Sequence, residues 1–173
     1  MARAMVALHL GVLAALACAT CSTAHAADFP PRKAGLWQIE MTMPGRQMPP
    51  RNIKTCLDPS TDAQMQQLAT NASKGMCNPP QINRNGSTVI VDSVCKMGSS
   101  QMTTHSVTLF VGDTSYHTDI TTKFEPPMAG RDTGAMAQDA KWVGPCPADM
   151  QPGDVVMENG MKLNLRQMAG GHP

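Results

Sequence analysis

Apolar and polar residues alternate most clearly from Leu36 to Met43, where Trp37, Ile39, Met41 and Met43 fall on one face and Gln38, Glu40 and Thr42 on the other. That period of two predicts a half-buried first strand. A turn-rich loop follows at Pro44–Arg51, then a short strand at Asn52–Leu57 carrying Cys56. Thr61–Thr70 places Ala63, Met65, Leu68 and Ala69 at helical spacing, with Ser60 as N-cap and Gly75 as stop. Beyond Cys77 the pattern is sheet. Ser87–Cys95, Gln101–Val111 and Ser115–Phe124 are rich in β-branched residues, and Asn85-Gly86 and Gly112-Asp113 are hairpin signals between them. A two-residue loop at Gly112-Asp113 pairs Leu109 with Tyr116 and aligns Val107, Leu109 and Val111 with Tyr116, Ile120 and Phe124. Glu125–Gln138 is rich in Pro, Gly, Ala and Met and reads as a mobile loop before a last short strand at Asp139–Val143. Val155–Gln167 is either a short helix or a hairpin turning at Asn159-Gly160, and the tail from Ala169 reads as disordered. The fold class is mainly β: an antiparallel curled sheet or small open barrel with one or two short helices.

The start of the chain has a different pattern. Arg3 precedes an apolar run from Met5 to Ala19, and Ser22-Thr-Ala-His-Ala26 supplies the small-x-small sequence read by signal peptidase. These features predict a signal peptide over residues 1–26, cut after Ala26, and so a periplasmic or secreted protein. The run falls short of the ~20 residues that a transmembrane anchor needs. Ala15-Leu-Ala-Cys18 is an imperfect lipobox, with its leucine one place too close to Cys18, so lipidation there ranks below cleavage. Cys18-Ala-Thr-Cys21 has redox-motif spacing but lies in the segment to be removed.

Removing 26 of 173 residues leaves 147, enough for a single domain over residues 27–168. Arg3 is the one formal charge lost, so the mature chain holds 13 basic and 13 acidic residues. With no basic cluster to neutralise several phosphates at once, nucleic acid is excluded as a partner class. Four cysteines remain: Cys56, Cys77, Cys95 and Cys146. An even number in an oxidising compartment predicts two disulfides, whereas a zinc site would want close pairs that are absent here. Four cysteines allow three pairings. Folding at Asn85-Gly86 brings Cys77 opposite Val94, one residue from Cys95, and a bulge on the arm carrying Pro79-Pro80 would absorb the offset. This favours Cys77–Cys95 and leaves Cys56–Cys146.

Candidate chemistry is thin. The mature chain contains no nucleophile elbow, zinc helix or phosphate loop, and its cysteines are expected to be oxidised. No catalytic residue and no cofactor is assigned. His105 and His117 lie on the two arms of the Gly112-Asp113 hairpin. The two-residue loop sets His105 on the apolar face opposite Ile120 and His117 on the wet face opposite Thr108, which separates them. Only an odd-length loop would bring them to one face. Thirteen of the 15 methionines lie in the mature chain, and Met41 and Met43 share a strand face. Soft thioethers select Cu(I), but the same pair continues the apolar stripe of Trp37 and Ile39, which favours core filling.

The order of features resembles a family of small exported proteobacterial proteins classed as a domain of unknown function. The features are Gly35-Leu36-Trp37-Gln38, Cys56-Leu57-Asp58, a short helix, Cys77, Cys95, and Lys141-Trp-Val-Gly-Pro-Cys-Pro147 followed by Pro152-Gly-Asp154. Members typically open on a G-L-W-E-like strand, and Gln38 stands here in place of the Glu. The resemblance implies export, one domain and paired cysteines, and carries over no catalytic or binding residue. The expected role is a non-enzymatic binding or envelope-maintenance module. A small apolar ligand held by the curled sheet is one version; copper handling through Met41 and Met43, or an uncharacterised enzyme, are the alternatives. Intact mass of protein from its native compartment is expected to start at Ala27, with four thiols alkylated only after reduction. Thiols that react without reduction would overturn the disulfide framework.

Overall fold

The computed structural model describes residues 29–72 and 75–170. The expected leader, with Cys18 and Cys21, and the last three residues of the expected tail lie outside them. Nine strands occur in chain order: β1 (Gly35–Thr42), β2 (Arg51–Leu57), β3 (Gln81–Asn85), β4 (Thr88–Met97), β5 (Ser100–Val111), β6 (Ser115–Met128), β7 (Arg131–Gly144), β8 (Asp154–Met157) and β9 (Lys162–Asn164). Helix α1 (Pro59–Ala72) joins β2 to β3, and α2 (Leu165–Gly170) follows β9. All nine strands form one sheet in the order β3-β4-β5-β6-β7-β1-β2-β8-β9, with antiparallel pairing throughout. The sheet does not close, and its edges are β3 and β9.

Because β2 and β3 lie in opposite halves of the sheet, their connection has to pass over one face, and α1 lies within it. The core sits on that face. Trp37, Ile39, Leu57 and Ala140 are buried, and Met41, Ile53, Met65, Tyr116 and Trp142 pack against them. Tyr116 lies 5.9 Å from Trp37 and 5.5 Å from Phe110, ring centroid to centroid, so these three aromatic rings form one cluster. Arg32 reaches into the same place. Its Cζ sits 5.9 Å from the Trp37 ring and 5.8 Å from the Tyr116 ring, within cation–π range. Its Nε donates to Asp62 Oδ1 at 3.0 Å and its Nη2 pairs with the same oxygen. Asp62 belongs to the first turn of α1, so this buried pair pins the helix to the segment that leads into β1.

The loop before β1 is held by two indoles. Trp37 Nε1 donates to Lys33 O at 2.8 Å, and Trp142 Nε1 donates to Ala34 O at 3.0 Å. Gly35 has φ +135°, and a Cβ there would lie 2.3 Å from Gly144 O and 2.4 Å from Trp142 Nε1. Only glycine fits this crossing of β1 and β7.

Two disulfides join distant segments. Cys56–Cys146 ties β2 to the chain just after β7, and Cys77–Cys95 ties the lead-in of β3 to β4. Asn85 pairs with Thr88, so the β3–β4 loop is Gly86-Ser87, one residue later than the Asn85-Gly86 turn expected. Gly86 has positive φ, as the first loop residue of a II′ turn requires. Cys77 lies four positions before Gln81, while its bridge partner Cys95 lies three positions after Asp92, the residue paired with Gln81. The extra residue falls on the arm of Pro79-Pro80.

Four sequence expectations are corrected. First, Val111 pairs with Ser115 and Phe110 with Tyr116, so the β5–β6 loop has three residues, not two. Burial of Phe110 against Tyr116 outweighs that of the aliphatics, and Leu109 and Val111 point outward, 47% and 62% exposed. Second, Glu125–Gln138 is not a loop. It completes β6, turns at Ala129-Gly130, both at positive φ, and forms most of β7. Pairing with β6 on one side, and along much of its length with β1 on the other, satisfies the β7 backbone whatever its composition. Pro126 and Pro127 fall where the β6–β7 register slips, between Lys123 and Met128, so their missing donors cost no ladder bond. Third, the last strand in that region is the 14-residue β7, not the five-residue stretch expected from Asp139. Fourth, the cap of α1 is Asp58 rather than Ser60: Asp58 Oδ1 accepts the Thr61 amide at 2.7 Å and Ser60 donates its own hydroxyl to Asp58. For Val155–Gln167, the hairpin alternative is the one found, as β8 and β9, with a short helix after it.

Two buried polar side chains should respond oppositely to removal. Asp62→Ala leaves Arg32 buried without its carboxylate and is expected to cost about 3–5 kcal/mol in urea unfolding. Thr55 is 1% exposed and its hydroxyl has no partner among the described residues, so Thr55→Val should be neutral or stabilise by up to about 1 kcal/mol. A loss below about 1 kcal/mol for Asp62→Ala would show that the ion pair does not seat α1.

Candidate functional site

The face opposite α1 carries the polar chemistry. The register sends Thr103, His105, Val107 and Leu109 of β5, His117, Asp119, Thr121 and Lys123 of β6, and Thr133, Ala135 and Asp139 of β7 to this open face. Two rows across three strands floor one end of it: Thr103–Lys123–Thr133 and His105–Thr121–Ala135. Strand β1 ends at Thr42, opposite Ala137 of β7, so the first residues of β7 have no β1 neighbour. The loop Pro44-Gly45-Arg46 lines the cleft there instead, and Arg131 lines it from the β6–β7 turn. The result is an open cleft of about 760 Å³.

Its electrostatics are one-sided. Arg46, Lys123 and Arg131 line the cleft with His105, and no carboxylate does. Lys123 Nζ is 2.6 Å from Glu125, and His105 Nδ1 is 2.7 Å from Asp92. Arg46 and Arg131 have no side-chain partner among the described residues. A second open cleft, about 490 Å³, lies further along the same face and includes Glu40, His117, Asp139 and Lys141. There His117 Nδ1 is 2.7 Å from Asp139 and Nε2 is 3.3 Å from Asp119. The hydrogen bond to Asp139 raises the His117 pKa above its ordinary value, against slight desolvation and with help from Asp119.

The histidines therefore share one face, contrary to the expectation from a two-residue loop. His105 stands opposite Thr121 and His117 opposite Leu109. They remain four residues apart along β5, roughly 14 Å, and each holds its own aspartate. Among the described residues, no three His, Cys, Asp or Glu side chains are grouped to hold a metal ion. Met41 packs against the Trp37 cluster, and Met43 lies just past the end of β1, its carbonyl accepting the Arg46 amide at 3.1 Å. The four cysteines are joined in disulfides. Arg46, Lys123 and Arg131 were not singled out from the sequence. They come from a loop, a strand and a segment read as loop, and only the true register brings them together.

These features define an open, disulfide-stapled antiparallel sheet, crossed by a helix on one face and bearing a polar cleft on the other. Residues 32–146 match the model of a family described as a protein of unknown function (DUF3617), and the chain belongs to that family. No curated protein and no solved structure matches it. The matched span opens at Arg32, the buried partner of Asp62, and ends at Cys146, the partner of Cys56. Among the described residues, no helix is long and apolar enough to cross a membrane.

His117 is expected to titrate above its ordinary value in an NMR pH series, and Asp139→Asn should lower that pKa. Because the folded pKa is the raised one, the stabilising contribution of the pair is complete at acid pH, below the unfolded value. It is lost as pH rises through the folded value. An unchanged His117 titration in Asp139→Asn would show that the pair does not form in solution.

Proposed function

We propose that this protein is exported and acts in the cell envelope as a non-enzymatic binding module, with its ligand site in the 760 Å³ cleft of the open face. The observation that carries the reading is the pair of arginines, Arg46 and Arg131, that line the cleft without a protein partner among the described residues. Unpaired arginines that line the cleft together with threonines offer donors to a guest, at the cost of ordering two exposed side chains. The volume falls in the range of small-molecule sites, roughly 300–1,000 Å³. Export is supported by the n-region, apolar run and cleavage pattern of residues 1–26 and by the four paired cysteines.

A catalytic reading has less support. Both ring nitrogens of His117 are engaged by carboxylates, which leaves neither free to take a proton from a substrate. Binding of a small apolar guest would want an enclosed apolar chamber, and both clefts described are open and carry polar side chains.

Equilibrium dialysis of the mature protein against an envelope extract, read by mass spectrometry, tests the site. Wild type is expected to concentrate a compound that Thr121→Trp, which fills the centre of the floor, does not. Enrichment of nothing, or of the same compound by both proteins, would overturn the assignment.

A further inference from the structure

We propose that the cleft recognises the phosphate ester of a polyol, with Arg46 and Arg131 taking the phosphate oxygens and the threonine hydroxyls taking those of the polyol. This deepens the binding reading above and rests on it. The sign of the ligand follows from the charges left over. Glu125 already engages Lys123 and Asp92 already engages His105, while the two arginines have no partner among the described residues. Asp132 adds one further carboxylate near Lys123, and a guest that pairs with both arginines brings negative charge of its own.

Phosphate suits the donors better than carboxylate. One guanidinium fork satisfies both oxygens of a carboxylate, whereas a phosphate ester presents three free oxygens and up to two charges to forks from two separate segments. The rest of the floor argues against a bare ion. Thr103 presents a hydroxyl that both donates and accepts, while Thr121 and Thr133 already donate to His105 O and Asp132 Oδ1, at 3.5 and 3.4 Å, and keep lone pairs to accept with. The cleft is many times larger than one phosphate. Polyol hydroxyls match the threonine hydroxyls, and a polyol's C–H groups match the threonine methyls, Pro44 and Ala135. The same chemistry is presented by a soluble glycerol or sugar phosphate and by a phospholipid headgroup.

The test uses the ¹⁵N-labelled mature protein and three soluble probes: glycerol 3-phosphate, glycerol and inorganic phosphate. Glycerol 3-phosphate is expected to shift the amides of Thr103, Thr121 and Thr133 saturably, glycerol not at all, and inorganic phosphate more weakly. Both arginines are exposed, so Arg46→Ala/Arg131→Ala should keep the fold, seen as unchanged core amides, and bind glycerol 3-phosphate at least about tenfold less tightly. The absence of saturable shifts, or equal affinity in the double variant, would overturn the proposal. Vesicles of phosphatidylglycerol and of phosphatidylcholine then separate the sources. Cosedimentation with the first alone, lost in the double variant, assigns the phosphate to a lipid headgroup. Saturable binding of the soluble ester without cosedimentation assigns it to a soluble ligand. If glycerol 3-phosphate fails but dialysis still recovers a compound that Thr121→Trp loses, the phosphate assignment falls and the binding reading stands.

Discussion

The architecture depends on one buried contact: the Arg32 guanidinium packs against the rings of both Trp37 and Tyr116 and closes on Asp62. Helix α1 covers the core face of the sheet, where Met65 packs against the core cluster. The ion pair adds a directional contact to that packing. Placed in the first turn of α1, Asp62 also sits where the helix dipole favours a negative charge. Such a pair is costly to desolvate and adds little over an apolar contact of the same shape. Its effect is specificity, since an unpaired charge at that depth penalises any other seating of the helix.

The residues that carry the family resemblance belong to the same joint. Gly35 permits the crossing with Gly144, Trp37 fills the core, and Trp142 closes over Ala34. Lys33 Nζ stands 3.9 Å from the Trp142 ring centroid. Cys56 and Cys146 bind the adjoining strand to the chain after β7, and the carbonyl of Cys56 accepts the Gly153 amide at 2.9 Å. The segment after the matched span docks through that bond and through Arg166, which bridges to Asp58 at the cap of α1. Asp58 thus holds both helices. Partial burial would raise its pKa, but bonds from Thr61 and Ser60 and the charge of Arg166 hold it at about 2. Its contribution to stability is present above the ordinary carboxylate range and is lost only as pH falls through that value.

How much of this was legible follows from what each element depends on. Strands β1, β2, β4 and β5 bury side chains of their own and show it as alternation or β-branched runs, so their limits lie within a residue or two of those expected. Strand β7 is defined by its neighbours. Gly134, Ala135, Ala137 and Ala140 say little about strand, and only the ladder to β6, joined from Ala137 onward by the ladder to β1, makes them one. The β5–β6 register was misread because three aliphatics outnumbered one aromatic in the pattern. In the fold, Phe110 has Tyr116 to pack against, and Leu109 stands between Thr88 and His117, half exposed to solvent. That single-residue change in loop length also decided the faces of the two histidines.

The cleft could not have been read from the sequence for a related reason. Its floor is a product of register, and its two free arginines lie where the sequence suggests only turns. Arg46 follows Gly45 in a loop without strand pairing, and Arg131 opens a strand that composition hides. An open sheet leaves one face without apolar cover, so side chains there are freed from packing and can be set by what they meet. Most charges on that face find each other across adjacent strands: Lys123 with Glu125, His105 with Asp92, His117 with Asp139. Glu40 and Lys141 on the same face have no such partner among the described residues either, so what sets Arg46 and Arg131 apart is that they share a cleft no carboxylate lines. Nothing in the sheet requires them there, since exposed arginines contribute little to folding. That placement is what the proposed ligand site rests on.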